Sequence, residues 1–325
     1  MSKARRPLWF HSRPTIGSAA VVALSAALAL TACDDFKRHA PAAAPGLASA
    51  ELRPALAAPP MTPEALPEHF VAEPQVCGDG LVAAAAQNAQ TIGTLVWAPF
   101  RRPEIGWDVY EPMIAEEIGT SCDGGSPGFA ADLAHWQGAH GLRADGVVSE
   151  VTFGVMTQFW EARRPFVTAN LHGCPPPPPE ASLATLPADI SYGGKVMRLR
   201  PGALNAFERM RATALAEMPG LSANGQLMRV YSAYRSPEED AARCDRDGNC
   251  QGIVRTTCSA HRTGLAVDIN LGAAPGFGPD SSDDANRLYM SRAPAYRWMI
   301  RRAHHFGFVN YPFEPWHWEW TGEAP

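Results

Sequence analysis

The chain has 325 residues, 46% hydrophobic and 19% charged, which suggests about two domains with enough apolar material for a sizeable core. Its formal net charge is −5, from 28 Lys+Arg against 33 Asp+Glu. That balance leaves no basic footprint for nucleic acid, and no lysine-rich patch stands out.

At the N-terminus Lys3, Arg5, Arg6 and Arg13 precede an uncharged run from Ile16 to Ala32 that closes on Leu30-Thr31-Ala32-Cys33. A basic start, an apolar stretch and a small-residue end read as an export signal over residues 1–32. Its end resembles a bacterial lipoprotein signal, which implies lipidation at Cys33; an ordinary secretory signal or an uncleaved anchor are the alternatives. Losing four basic residues and no acidic one takes the formal charge from −5 to −9. The expected product is an exported protein held by lipid to the membrane, on its periplasmic or extracytoplasmic face. Asp34, directly after the cysteine, resembles the sorting signal for inner-membrane retention in two-membrane bacteria.

Six cysteines remain, at 77, 122, 174, 244, 250 and 258. An even number in an exported chain fits disulfides, and none has the spacing of a structural zinc site. Cys244 and Cys250 bracket the turn-rich Asp245-Arg246-Asp247-Gly248-Asn249 and are the first pair expected to bridge. That acidic loop lacks a full calcium ligand set and reads as a solvated turn.

Residues 33–74 are rich in alanine and proline, as in a flexible tether. Residues 75–104, with an alanine run and the apolar stretch Thr91 to Phe100, carry no clear assignment. From 105 to 166 the apolar spacing predicts three helices: Val109, Met113, Ile114 and Ile118; then Phe129, Leu133 and Trp136; then Val151, Val155, Met156 and Phe159. Leu133, Gln137, Asp145, Gly146 and Thr152 match the pattern of the three-helix peptidoglycan-binding domain, which this module resembles. Ser149 stands where that family usually has glycine. Residues 167–179, with the run Pro175 to Pro179, predict a stiff connector, the clearest boundary in the chain.

Residues 180–325 predict an α+β domain, a small and mostly antiparallel sheet with flanking helices. Leu204 to Met218 and Ala295 to Phe306 read as helices, Gly307 stopping the second, and Met228 to Tyr234 as a strand with a further helix opening at Pro237. In Ser259-Ala260-His261-Arg262-Thr263-Gly264-Leu265-Ala266-Val267-Asp268, period-two geometry puts Leu265, Val267 and Ile269 on one face. Asp268 falls on the other face beside two tiny side chains, which leaves room for an ion. In Glu314-Pro315-Trp316-His317-Trp318-Glu319-Trp320, the tryptophans share one face, for packing, and His317 and Glu319 the other. Two histidines and a carboxylate with a fourth position open to water form a common catalytic zinc set. His261, Asp268 and His317 are the candidate ligands, and Glu314 the candidate base.

Ser259-x-His261-x-x-Gly264-x-Ala266-x-Asp268, Glu314-x-Trp316-His317 and Ser232-Ala233-Tyr234-Arg235-Ser236 occur in the order found in the VanY-type zinc D-alanyl-D-alanine carboxypeptidases. The last 145 residues or so resemble that family, within the D-Ala-D-Ala metallopeptidases. The resemblance implies one Zn2+ per domain, peptidoglycan as substrate and Glu314 as proton acceptor. It further implies Arg235 on the scissile carbonyl, Ser259 on the terminal carboxylate, and Tyr234 and Ser236 as substrate contacts. Asp240 stands where the family commonly has glutamine, and Glu319 where relatives often carry another residue type; Glu319 is read as pairing with a cation near the metal or tuning substrate choice. D,D-carboxypeptidase activity is the leading expectation, with endopeptidase or L,D-carboxypeptidase activity open. From another class, a non-catalytic wall-binding lipoprotein is the alternative, which the presence of Glu314 disfavours. No obligate protein partner is indicated.

Overall fold

The computed structural model describes residues 76–248, 250 and 256–325, all within one compact unit, His69–Pro325. The export segment with Cys33, the tether and Asn249 lie outside the described residues. Among those described, no helix is long and apolar enough to cross a membrane.

Residues 76–105 hold a helix, α1 (Val82–Thr91), and a short hairpin, β1 (Val96–Trp97) with β2 (Glu104–Ile105). Four helices follow: α2 (Glu111–Ile118), α3 (Pro127–Ala139), α4 (Glu150–Ala162) and α5 (Pro165–Asn170). Ser126 and Ser149 cap α3 and α4 by accepting the backbone N–H of Phe129 and Thr152, and each is followed within two residues by a helix-compatible start. Gln137 donates to Asp145, to the carbonyl of Val147 and to the Thr152 hydroxyl, and accepts the Gly146 N–H at 2.8 Å. Four residues that carry the likeness to a wall-binding module are therefore one hydrogen-bonded knot at the Asp-Gly turn. Gly146 has φ +70°, and a Cβ there would meet the Ala130 carbonyl at 2.4 Å.

Beyond the proline run come a hairpin of β3 (Ala184–Thr185) and β4 (Arg198–Leu199), then α6 (Pro201–Glu217) and α7 (Pro219–Ala223). The rest is β5 (Val230–Ser232), α8 (Pro237–Asp247), β6 (Ala266–Ile269), α9 (Asp284–Ser291), α10 (Pro294–Arg302), β7 (Phe308–Asn310) and β8 (His317–Trp320). The last four strands make one antiparallel sheet, ordered β5-β6-β8-β7, so the domain is α+β. Val267, Ile269 and Trp318 join Phe207 and Met210 of α6 and Tyr296 and Met299 of α10 in the core. β5 is shorter than the expected Met228–Tyr234 because Met228 has φ +56° and the pairing shifts between Val230 and Ser232. The helix expected over 295–306 ends at Arg302 and passes through a 3₁₀ turn, Ala303–Phe306, to Gly307 at φ +81°.

Two disulfides are present, Cys77–Cys122 and Cys174–Cys258. The expected Cys244–Cys250 pair is not bridged. Cys244 is buried inside α8 and Cys250 is exposed, and burial together with Cys250 pushes the Cys244 thiol up to about 11, which leaves little thiolate to react at neutral pH.

Candidate metal centre and its cleft

Register builds the site. Asp268 pairs with His317 across β6 and β8, and Ser232 pairs with Asp268 across β5 and β6, so one row spans three strands. Two residues along, Ala266 lies opposite Glu319, which puts the glutamate on the same face as His317. His261 arrives from a 3₁₀ turn, Ala260–Thr263, that Gly264 ends in the left-handed conformation at φ +71°. Its Nδ1 lies 2.7 Å from the Ala233 carbonyl, which leaves Nε2 to approach Asp268 Oδ2 at 3.2 Å. His317 presents Nδ1 to Asp268 Oδ1 at 2.9 Å and Nε2 to Glu319 Oε1 at 3.4 Å. Asn310 and Tyr296 brace the same strand, since Asn310 donates to the His317 carbonyl and accepts from the Tyr296 hydroxyl.

His261, Asp268 and His317 are all buried, and their ligand atoms lie within 4.8 Å of one another. Bonds of about 2.0 Å to a tetrahedral ion imply ligand separations of about 3.3 Å, close to the distances present. Two imidazoles around one buried carboxylate suit Zn2+ in charge and in donor type. Burial and Arg235 lower His261 to about 4, so it is neutral and able to ligate. Burial opposes the charge on Asp268, yet the two histidines hold it well below the usual carboxylate range. Burial would likewise lower His317, but its hydrogen bonds to Asp268 and Glu319 raise it to about 9. A cation entering between these groups would take the place of that proton.

The centre opens into a cleft of about 690 Å³. Glu314 lines it, half-buried, and burial raises its carboxyl. Its carbonyl accepts the His317 N–H at 2.9 Å, so the turn through Pro315 fixes base and ligand together. Arg235 lines the cleft too, held by Asp240 at 2.9 Å and by the Ser232 hydroxyl at 2.7 Å. Ser259 is at the cleft, with its hydroxyl and its N–H both donated to Asp240 Oδ2. Tyr234 and Ser236 do not line it. Ser236 caps α8 in a reciprocal box with Glu239, and the Tyr234 N–H goes to the Arg198 carbonyl. From this segment Tyr231, Ser232 and Arg235 line the cleft instead.

Sequence reasoning missed the other wall. Phe100, Arg101 and Arg102, between β1 and β2, and Arg164 and Phe166, at the end of the helical module, line the same cleft. Arg164 meets Glu319 at 2.7 Å across 155 residues of chain, and no local pattern announces such a pair. Glu319 is set to about 2: burial opposes its charge, but His317 and Arg164 more than offset this. A second hollow, about 740 Å³ and mainly apolar, lies between α7 and α9 and holds none of these residues, so chemistry and not size places the site.

A buried His-Asp-His set on an antiparallel sheet, open to a cleft with a carboxyl beside it, defines a metallohydrolase class of centre. Residues 196–323 match the family described as VanY: D-alanyl-D-alanine carboxypeptidase, and that stretch carries the whole His-Asp-His set together with Glu314. Two solved structures are similar to part of this chain. One is the LdcB LD-carboxypeptidase, described for peptidoglycan recognition, at 21% identity and TM-score 0.32 over 44% of this chain and 69% of that one. The other is a mutant of the vancomycin-resistance D,D-pentapeptidase VanY in complex with Zn(II), at 22% identity and TM-score 0.26 over 42% of this chain and 83% of that one. Comparison with curated proteins gives no match.

Proposed function

We propose that this protein is a zinc-dependent peptidase that removes the terminal D-alanine from peptidoglycan stem peptides. The observation that carries the reading is the row Asp268–His317, closed by His261 and flanked by Glu314 at the mouth of a cleft. Bound Zn2+ would supply a Lewis acid that polarises the scissile carbonyl and acidifies water. Glu314 accepts a proton from the attacking water and returns it to the leaving amine; its burial-raised carboxyl suits a group that must both take and give. Arg235 places its remaining N–H groups on the carbonyl oxygen where negative charge develops, held rigid by Asp240 and Ser232. Ser259 lines the cleft beside Arg235, and its hydroxyl, donated to Asp240 in the free protein, would turn to the terminal carboxylate when substrate binds.

In the same reading, the module at 105–166 binds the wall, and Cys33 carries a lipid that holds the protein on the outer side of the membrane. A tethered active site searches a small volume, which raises its local substrate concentration. Mass spectrometry of the products from a pentapeptide stem and from a cross-linked dimer tests the reading, with wild type and Glu314→Ala, with and without zinc. Loss of one alanine from the pentapeptide, dependent on zinc and on Glu314, is the expected result. Cleavage of the dimer alone would replace it with an endopeptidase. No cleavage by a chain that binds zinc and wall would make it a binding protein.

A further inference from the structure

Glu319 is oriented by the helical module and not by its own sheet. Its Oε1 accepts from Arg164 at 2.7 Å, and its Oε2 accepts the Phe166 N–H at 2.9 Å. What Oε1 offers besides is aimed at His317 Nε2, 3.4 Å away. Arg164 is itself over-determined. Its guanidinium pairs with Glu161 and stacks on the Tyr311 ring, 4.1 Å from the centroid, and the residue is 7% exposed. Glu319 is 1% exposed, so the ion pair is desolvated on both sides.

Such a pair is a costly way to join two surfaces, since apolar residues of the same volume join them as well or better. Its position suggests another use. His317 turns Nδ1 toward Asp268, and a carboxylate on Nε2 fixes the tautomer that leaves Nδ1 free to bind a cation. Glu319 can do this only where it stands. Arg164 and the Phe166 N–H are what hold it there, and both lie at the start of α5.

A second buried pair repeats the arrangement. Glu104 of β2 meets Arg287 of α9 at 3.1 Å, and Arg287 donates to the Phe313 carbonyl at 2.7 Å, one residue before Glu314. Arg164 thus ends one step from His317 through Glu319, and Glu104, just ahead of the module, reaches the Glu314 turn through Arg287.

We propose that the helical module is a structural half of the metal centre, in which Arg164 is a positioning residue that sets His317 through Glu319. The inference rests on His317 being a zinc ligand, as the proposed function has it. The isolated sheet domain would carry the three ligands and Glu319 without the groups that hold Glu319 in place, so the affinity for metal is a property of the whole unit.

The test is the zinc dissociation constant of the full chain, measured by competition with a chromophoric chelator, beside thermal unfolding of the metal-free protein. Arg164→Met is expected to weaken zinc binding about 10–100-fold, the range for loss of a group that orients a ligand. Arg164→Lys keeps the charge but loses the fork, and is expected to bind zinc several-fold more weakly than wild type and better than the methionine variant. Asp108→Asn removes a different inter-module pair, Asp108 with Arg297 at 2.6 Å, and is expected to lower stability while leaving zinc affinity unchanged. Wild-type affinity in Arg164→Met overturns the inference and leaves the peptidase reading standing. Equal weakening in Asp108→Asn also overturns it, because docking alone would then set the affinity. Weakened zinc binding in a protein whose wild type cleaves no stem peptide upholds the inference and sinks the function. Should the methionine variant fail to fold, the lysine variant decides: wild-type affinity there overturns the proposal.

Discussion

Asp240 serves both the residue that would polarise the carbonyl and the residue that would meet the terminal carboxylate. It is 2% exposed, accepts from Arg235 at 2.9 Å, and takes the N–H and the hydroxyl of Ser259 at 3.1 and 2.6 Å. A glutamine here would offer one carbonyl oxygen and no charge, so the departure from the family pattern exchanges a neutral bridge for an anion that pins the guanidinium. Asp240→Ala strands a largely buried cation and frees two groups of the cleft. We expect a loss of about 3 kcal/mol in denaturant unfolding, the lower end for breaking a buried pair. We also expect kcat/KM to fall roughly 100-fold, since a small displacement of a positioning group has that order of effect. An unfolding midpoint and kinetics equal to wild type would show that Asp240 positions nothing.

At the scale of elements, the site rests on a turn and a strand register. Gly264 ends the His261 turn at φ +71°, and a Cβ there would lie 3.1 Å from Leu183 Cδ2 and 3.2 Å from Arg200 Cγ. Gly264→Ala combines the cost of left-handed backbone with that crowding, about 1–2 kcal/mol. Because His261 is three residues upstream, zinc affinity should fall along with the unfolding midpoint; a drop in stability with unchanged affinity would place the strain away from the site. This part of the molecule was legible in the sequence. The alternation through Asp268 and the tryptophan stripe through His317 give each strand a face, and glycine marks the turn. Tyr234 and Ser236, expected as substrate contacts, stand outside the cleft lining, beyond the point where the left-handed Met228 and the shifted pairing of β5 end the ladder. Ser236 was then free to start a helix, a role its Ser-x-x-Glu spacing to Glu239 does signal. Nothing local could place Arg164 beside Glu319, since that pairing depends on how α5 packs against β8.

The molecule as a whole is held by connections between its two halves, and they respond differently to conditions. Burial raises Glu104 above the ordinary glutamate value of 4.5 despite Arg287 beside it. The folded state therefore holds this proton more tightly than the unfolded one, so the stability it contributes is present below 4.5 and is lost as pH rises through the raised value. Measured as a difference, Glu104→Gln should gain on wild type over that window; a difference independent of pH would mean that Arg287 compensates the charge fully. The Cys174–Cys258 disulfide acts through the unfolded state instead. It closes a loop of 84 residues and ends one residue before Ser259 and three before His261. Chain-entropy arguments put its contribution at about 4.5 kcal/mol, a large share of the stability of a protein this size. The double variant Cys174→Ser/Cys258→Ser should therefore unfold at much lower denaturant. Because the bridge also ties the proline connector to the strand of chain that carries His261, zinc affinity should fall even at temperatures where the variant stays folded. If stability drops while zinc affinity holds, the disulfide only restrains the unfolded chain, and the turn from Ala260 to Gly264 is enough to set His261.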